Sequence, residues 1–273
     1  MEPHARRPPL PEALAGYAVR FEEVRHPIKA LGGPNMGTST AAKVSRCYMG
    51  TLGAVVTKPQ FPSNGQPIVV GYVTNNHVAG AEGFRLCPNT TAAMQEEVAP
   101  SDRYCAQPRF TIGRLDLLSM PTIVLSTQAS NQLDAAFVVS TKVAPTFGEC
   151  KGFCPPPGIA PFGSLRGKTV WKCGAATHLT KGVVTCLNAT VDVQYIPCNA
   201  TARFRGQIEI DGQFSSVGDS GSLVYGEDGA VGLLFAGDGV GKSFANPIQD
   251  VQNVLDVRLP PVPCGSPNFP PVP

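Results

Sequence analysis

An all-β chain in two halves is the fold this sequence predicts, and three observations carry the prediction. Only 15% of its 273 residues are charged, against roughly 25% in an average soluble domain. Glycine (29) and proline (27) are both frequent. The apolar residues come in short runs between these breakers, which suits many short strands joined by tight turns better than it suits helices. At this length a sizeable core is buried, as one large domain or two small ones.

Taken in order, residues 1–40 read as an N-terminal arm, with a short helix over LPEALAGYAVRFEEVR and a turn-rich link at GGPNMGTST. Residues 41–148 form the first half, with strands expected at CYMGTLGAVV, PIVVGYVTNNHV, RFTIGRLDLL, PTIVLST and LDAAFVVS. Asn64-Gly65 lies between the first two runs and signals a hairpin, because a type I′ turn needs positive φ at both central residues. CKGFCPPPGIAPFG (150–163) cannot hold a central strand, and the linker is placed at residues 149–162. The second half, 163–258, offers strands at GKTVWKCG, GVVTCLNATVDVQY, FRGQIEI, GSLVYG and AVGLLFAG, the last two joined at Asp228-Gly229. A short helix over NPIQDVQNVLDVRL closes it, and 259–273 is a Pro-rich, extended tail.

Charge and cysteine content narrow the function classes. A formal charge of +2 gives no large single-sign field, so neither nucleic acid nor an anionic membrane is predicted as a partner. No run approaches the roughly 18 apolar residues of a membrane helix. The N-terminus has no apolar h-region, so a cytoplasmic protein is the expectation, without excluding secretion. Nine cysteines leave at least one thiol free or paired between chains. Cys150, Cys154, Cys173, Cys186 and Cys198 fall in one stretch that suits disulfides. Cys150 and Cys154 lack a second close pair with zinc-ligand spacing, so no metal and no cofactor is expected. The sequons at Asn89, Asn188 and Asn199 matter only in a secreted protein.

Three strings carry chemistry. In GDSGS (218–222) Ser220 sits between glycines, and the tight backbone path they allow would aim the amides of Gly218 and Ser220 at one spot, as an oxyanion hole. In YVTNNHVAG His77 ends an apolar strand, a placement that suits a general base. In QLDAAFVV Asp134 precedes an apolar run, where a part-buried carboxylate would fix the tautomer of His77 and stabilise its imidazolium. Each string alone has a plain structural reading: a Gly-rich turn, a core histidine, a capping aspartate. Together, in the order His, Asp, Ser, they make a triad. His4 and His26 lie in the arm, and His178 is the sole rival base.

From about Gly50 to Leu259 the chain resembles the trypsin-like serine proteases, and within them the plant Narrow Leaf type and its bacterial relatives. The resemblance rests on GTLGAVV, VTNNHV, LDAAFVV, KCGAATHLTKGVV, GDSGSLVY, VGLLFAG and FANPIQDVQNVL. It implies two perpendicular, six-stranded-type chymotrypsin-like β-barrels with the active site in the cleft between them. It carries the triad onto His77, Asp134 and Ser220. Ala175-Ala176-Thr177-His178 departs from the family's usual Arg-Thr-Thr-Gly-like turn. The resemblance also puts Phe214 where trypsin has an aspartate, and makes Thr180, Ser215, Phe235 and Gly237 pocket walls. The backbone of Gly237 would then pair with an extended peptide.

These readings imply a serine endopeptidase acting on protein or peptide substrates. The rival is a protease-like scaffold or binding module, with PPVP repeated in the tail as a polyproline docking segment. A homo-oligomer is compatible with either. Asp219 is a further expectation. No Ile-Val-Gly-Gly-like segment precedes the first barrel to supply a cationic N-terminus to it. An internal partner is therefore expected, Arg203, Arg205 or local backbone amides, unless Asp219 is exposed.

Overall fold

The computed structural model describes residues 50–59, 69–79, 113–116, 119–140, 158–196 and 199–259, together with short strand segments at 13–14, 17–18, 28–30, 39–42 and 97–100. The Asn64-Gly65 turn and the Pro-rich tail lie outside the described residues.

Three strands come from the N-terminal arm: β1 (Ala13–Leu14), β2 (Tyr17–Ala18) and β3 (Ile28–Ala30). β1 and β2 pair antiparallel, where the sequence suggested a helix; the glycine between them lowers helical propensity at that point. The first sheet then takes β4 (Ser39–Ala42), β5 (Gly50–Thr51), β6 (Ala54–Lys58), β7 (Val69–Thr74), β8 (Glu97–Pro100), β9 (Gly113–Leu115) and β10 (Ala136–Ser140). Its order is β5-β4-β8-β9-β10-β7-β6, antiparallel throughout. The two edge strands, β5 and β6, are separated only by Leu52 and Gly53, so the sheet rolls round on itself.

The second sheet contains β11 (Thr169–Gly174), β12 (His178–Tyr195), β13 (Ala200–Asp211), β14 (Leu223–Gly226), β15 (Gly229–Gly237) and β16 (Lys242–Pro247). These six close into a ring, because β11 pairs with β14 on one side and β12 on the other. β3 joins this ring as a seventh strand. The result is the expected two-barrel architecture.

Strand alternation explains how the barrels meet. On β10, Ala136 and Val138 pack inside the first barrel with Tyr72 and Leu115, while Phe137 and the preceding Ala135 face the other way. That other face forms a shared core with Val73, Leu223 and Leu233. Helix α2 (Ile248–Leu255) caps it with Ile248, Val251 and Leu255. The remaining barrel-two residues fill two further clusters, one around Ile208, Ile210 and Leu234, the other around Phe204, Phe235 and Phe244.

Two local expectations are corrected, at PTIVLST and at the β14–β15 turn, and one strand, KSFANP, is not foreseen from the sequence. PTIVLST is not a strand: Asn131 Oδ1 accepts from the Val124 N–H at 2.7 Å and Asn131 Nδ2 donates to the Val124 carbonyl at 2.9 Å. One side chain thus does what a neighbouring strand would. KSFANP, with its polar start and terminal proline, is a strand nonetheless, because both its neighbours in the ring supply ladder partners. The β14–β15 turn is Glu227-Asp228, since Gly226 and Gly229 are already paired.

Gly53 sits where the barrels touch. A Cβ there would run into the carbonyl of Gly221 and come within 2.8 Å of Leu233 Cδ1 and 2.9 Å of Val73 O. Gly53→Ala is therefore expected to lower stability by about 1–3 kcal/mol, read as a reduced urea midpoint at unchanged slope.

Candidate active site

The register of β7 on β10 sets the first half of the site. Thr74 pairs with Ala136, so the three residues leaving β7 run level with those entering β10, and His77 comes beside Asp134. A one-turn helix, α1 (Asn76–Ala79), begins there, with the N–H groups of Val78 and Ala79 donating to the Asn75 carbonyl. His77 is thus in a helical turn, not at a strand end. Its N–H donates to Asp134 Oδ1 at 3.1 Å, and its Nδ1 lies 2.6 Å from Asp134 Oδ2. Tyr195 Oη donates to the same Oδ2 at 2.8 Å. All three residues are at most 2% exposed. Three donors offset the desolvation of the carboxylate. With Asp134 ionised, the 2.6 Å contact takes the imidazole proton on Nδ1, which makes Nε2 the acceptor nitrogen.

Asp134 is fixed from behind as well. Asn75 Nδ2 donates to its carbonyl at 2.6 Å, and its N–H donates to Asn246 Oδ1 at 2.9 Å. Asn246 belongs to β16, so the second barrel holds a residue of the first.

Ser220 lies on a loop closed by its own hydrogen bonds. The Asp219 N–H donates to the Ser216 carbonyl, the Ser222 N–H and hydroxyl donate to the Asp219 carbonyl, and the Gly221 N–H donates to Leu234 of β15. Gly218 and Gly221 have φ of +102° and +92°, a region that favours glycine. Ser220 Oγ lies 3.5 Å from the Phe235 carbonyl. Among the described residues the N–H groups of Gly218 and Ser220 make no protein hydrogen bond.

Thr51 ties this loop to the first barrel. Its N–H donates to the Ser220 carbonyl at 2.6 Å, and its hydroxyl donates to the Gly218 carbonyl at 3.0 Å. Its own carbonyl accepts from Thr74 Oγ1 at 2.9 Å, three residues before His77. A Cβ on Gly50 would touch both the Val78 side chain and the Ser220 carbonyl. The segments bearing His77 and Ser220 therefore converge on Gly50-Thr51.

Asp219 is wholly buried, and its cation is Lys172 rather than Arg203 or Arg205. Lys172 Nζ lies 3.3 Å from Asp219 Oδ2, with both side chains at 0% exposure. Arg203 is taken by Asp192, opposite it in the β12–β13 ladder, at 2.7 and 2.8 Å. The expected backbone amides are present too: Ala176 and Thr177 donate to Asp219 Oδ1, and Ser216 donates to Oδ2. Thr177 Oγ1 accepts from Lys172 at 2.6 Å and donates to Asp219 Oδ2 at 2.6 Å, bridging the pair. Burial pulls the Lys172 ammonium below its ordinary value of 10.5, while Asp219 pulls it back. Between the lowered folded value and 10.5 the unfolded chain binds the extra proton. Stability attributable to Lys172 therefore rises with pH across that window, while the ion pair is lost.

The residues expected around a pocket are distributed as follows. Phe214 and Phe235 are fully buried in two different cores. Thr180 Oγ1 donates to the Phe214 carbonyl at 2.6 Å, and the Ser215 and Ser243 hydroxyls are 2.7 Å apart. Gly237 pairs with Lys29 of β3. Among the described residues no cluster of His, Cys, Asp and Glu suits a metal ion. No described helix is long and apolar enough to cross a membrane.

Sequence reasoning missed Thr51, Tyr195 and Lys172. Only Lys172 left a signal: within TVWKCG it shares the inward register with Val170 and Gly174, and a lysine on a buried face demands a partner.

No family model and no curated protein matches this chain. Solved structures do. A glutamic acid specific serine protease, described as using a histidine triad in substrate binding, aligns at TM-score 0.52 and 19% identity, over 84% of this chain and 99% of its own. Thermobifida fusca Protease A aligns at 0.51 and 18%, over 85% and 99%. An α-lytic protease homolog, N4, aligns at 0.51 and 15%, over 82% and 96%. These likenesses show the chymotrypsin-like two-barrel fold.

Removing the buried cation tests the Asp219 network. Lys172→Met leaves a buried carboxylate without a counter-charge and is expected to cost about 3–5 kcal/mol. Adding Asp219→Asn should recover most of that loss, because the two groups act as a unit. Urea unfolding of the two variants measures both effects.

Proposed function

We propose that this chain is a serine endopeptidase, and the buried Asp134–His77 pair carries the reading. A carboxylate held by three donors and locked onto Nδ1 leaves Nε2 as a base, which is what a hydroxyl nucleophile requires. Ser220, on the loop tied beside it through Thr51, is the nucleophile. Its Oγ attacks the substrate carbonyl as its proton passes to His77 Nε2. The developing oxyanion takes the N–H groups of Gly218 and Ser220, which make no other bond among the described residues. One such donor contributes roughly 3–4 kcal/mol to transition-state stabilisation. His77 then protonates the leaving amine, and water hydrolyses the acyl-enzyme by the same route in reverse.

The pocket reading follows from the resemblance. With Phe214 in the place of a carboxylate, an arriving Lys or Arg finds no counter-charge, and an unpaired buried charge costs several kcal/mol. Uncharged residues before the scissile bond are favoured. The finer likeness to the Narrow Leaf type rests on sequence motifs alone. Cys173 is disulfide-bonded and Cys186 is a free thiol; a disulfide suits an oxidising compartment, contrary to the cytoplasmic expectation.

A fluorophosphonate probe should label the protein and leave Ser220→Ala unlabelled. Ser220→Ala and His77→Ala should each lower peptidase activity by several orders of magnitude, and the double variant should lose little more. Peptidase activity in Ser220→Ala above that of the double variant would overturn the nucleophile assignment. In a peptide-library profile, apolar or small residues should dominate the position before the cleaved bond; a profile dominated by Lys and Arg would refute the pocket reading.

A further inference from the structure

The second barrel closes without β3. Strands β11 to β16 pair in a complete ring, and Ile28–Ala30 is laid on afterwards. It runs parallel to β12 at Val193–Gln194 and antiparallel to β15 at Ala236–Gly237.

The β15 side is the informative one. The Phe235 carbonyl lies 3.5 Å from Ser220 Oγ, and the pairing with β3 begins at the very next residue. Ala30 lies opposite Ala236 and Lys29 opposite Gly237, so β3 heads towards the nucleophile as it runs from N- to C-terminus. An extended peptide binds a protein most simply by adding a strand to an open sheet edge, and this is the edge beside the proposed nucleophile. The next described strand, β4, belongs to the first barrel and pairs Ser39 with Thr51, whose N–H holds the Ser220 carbonyl. The chain's own N-terminal strands thus flank the reactive serine from both barrels. Ser220 is 0% and His77 2% exposed.

We propose that β3 is a substrate mimic held in cis: it occupies the peptide-binding edge at Ala236–Gly237 and competes with extended peptides for it. This inference rests on the peptidase reading above. Tethering supplies the segment at a millimolar effective concentration, so a weak intrinsic affinity suffices. Two residue pairs on each side make few hydrogen bonds, which places β3 at the low-stability end of the molecule and makes it displaceable.

Two measurements on the full chain test this. Hydrogen exchange followed by mass spectrometry should find the amides of residues 28–30 protected in the free protein. They should exchange about tenfold faster once a peptidyl chloromethyl ketone with a tetrapeptide strand occupies the site. The second measurement uses Ala30→Pro, which removes an N–H from a strand that tolerates no proline between two neighbours. It should raise kcat/KM for a tetrapeptide substrate about tenfold, the effect of removing a tethered competitor. Protection that is the same with and without the bound peptidyl inhibitor overturns the inference, as does an unchanged kcat/KM in a folded Ala30→Pro. A fluorophosphonate control separates the two readings. Labelling of Ser220 in wild type and variant keeps the peptidase reading whichever way β3 behaves, whereas no labelling in either removes that reading and this inference with it.

Discussion

Thr51 is the clasp on which the rest of the site depends. Each barrel has an interior of its own, yet the histidine–aspartate pair comes from the first and the serine loop from the second. Some contact has to span the two barrels to hold these parts together. Thr51 does so, with its N–H on the Ser220 carbonyl, its hydroxyl on the Gly218 carbonyl and its carbonyl on Thr74. It also accepts from the N–H of Ala175 at 2.9 Å, which draws in the β11–β12 turn. Asn246 supplies the return tie, from β16 to both backbone groups of Asp134. The apolar core shared by the barrels drives their association. The polar ties set its register, because a buried donor or acceptor left unmade costs about 1–3 kcal/mol.

The site also contains two wholly buried carboxylates, handled in different ways. Among the described residues, the donors to the Asp134 carboxylate come from His77 and Tyr195, with no lysine or arginine. Asp219 receives a full cation as well as amides and a hydroxyl. The difference fits their positions. In the proposed mechanism Asp134 has to let His77 take up charge, which a neighbouring lysine would oppose. Asp219 has only to hold a loop in a conformation that needs two glycines at positive φ. Holding it with Lys172 keeps a desolvated ammonium in the barrel wall, a cost to folding accepted for a fixed loop.

Much of this was legible in the sequence because local patterns specified it. The short apolar runs marked most of the strands, and VTNNHV, LDAAFVV and GDSGS marked the elements that carry His77, Asp134 and Ser220. What stayed hidden depends on long-range contact. Tyr195 meets Asp134 across 61 positions, and Thr51 meets Gly218 across 167. Neither residue type is unusual on a strand, so neither announced itself. PTIVLST misled for a related reason: its β-branched run has strand propensity, but a side-chain amide takes the place of a neighbouring strand. β16 was missed from the opposite side, a strand made by its neighbours rather than by its own composition.

The Lys172–Asp219 link has a bearing on survival. Chain cleavage by any peptidase requires a stretch of chain to open locally, and a segment is more vulnerable the more cheaply it opens. The serine loop is long, glycine-rich and set at the surface of a barrel, the kind of segment that opens cheaply. Here it is fastened through its aspartate to the interior of β11, a strand paired on both sides. Freeing the loop means exposing a buried lysine and breaking the barrel wall around it. Local opening is thereby raised toward the cost of global unfolding, and the folded protein is a poor target for peptidases.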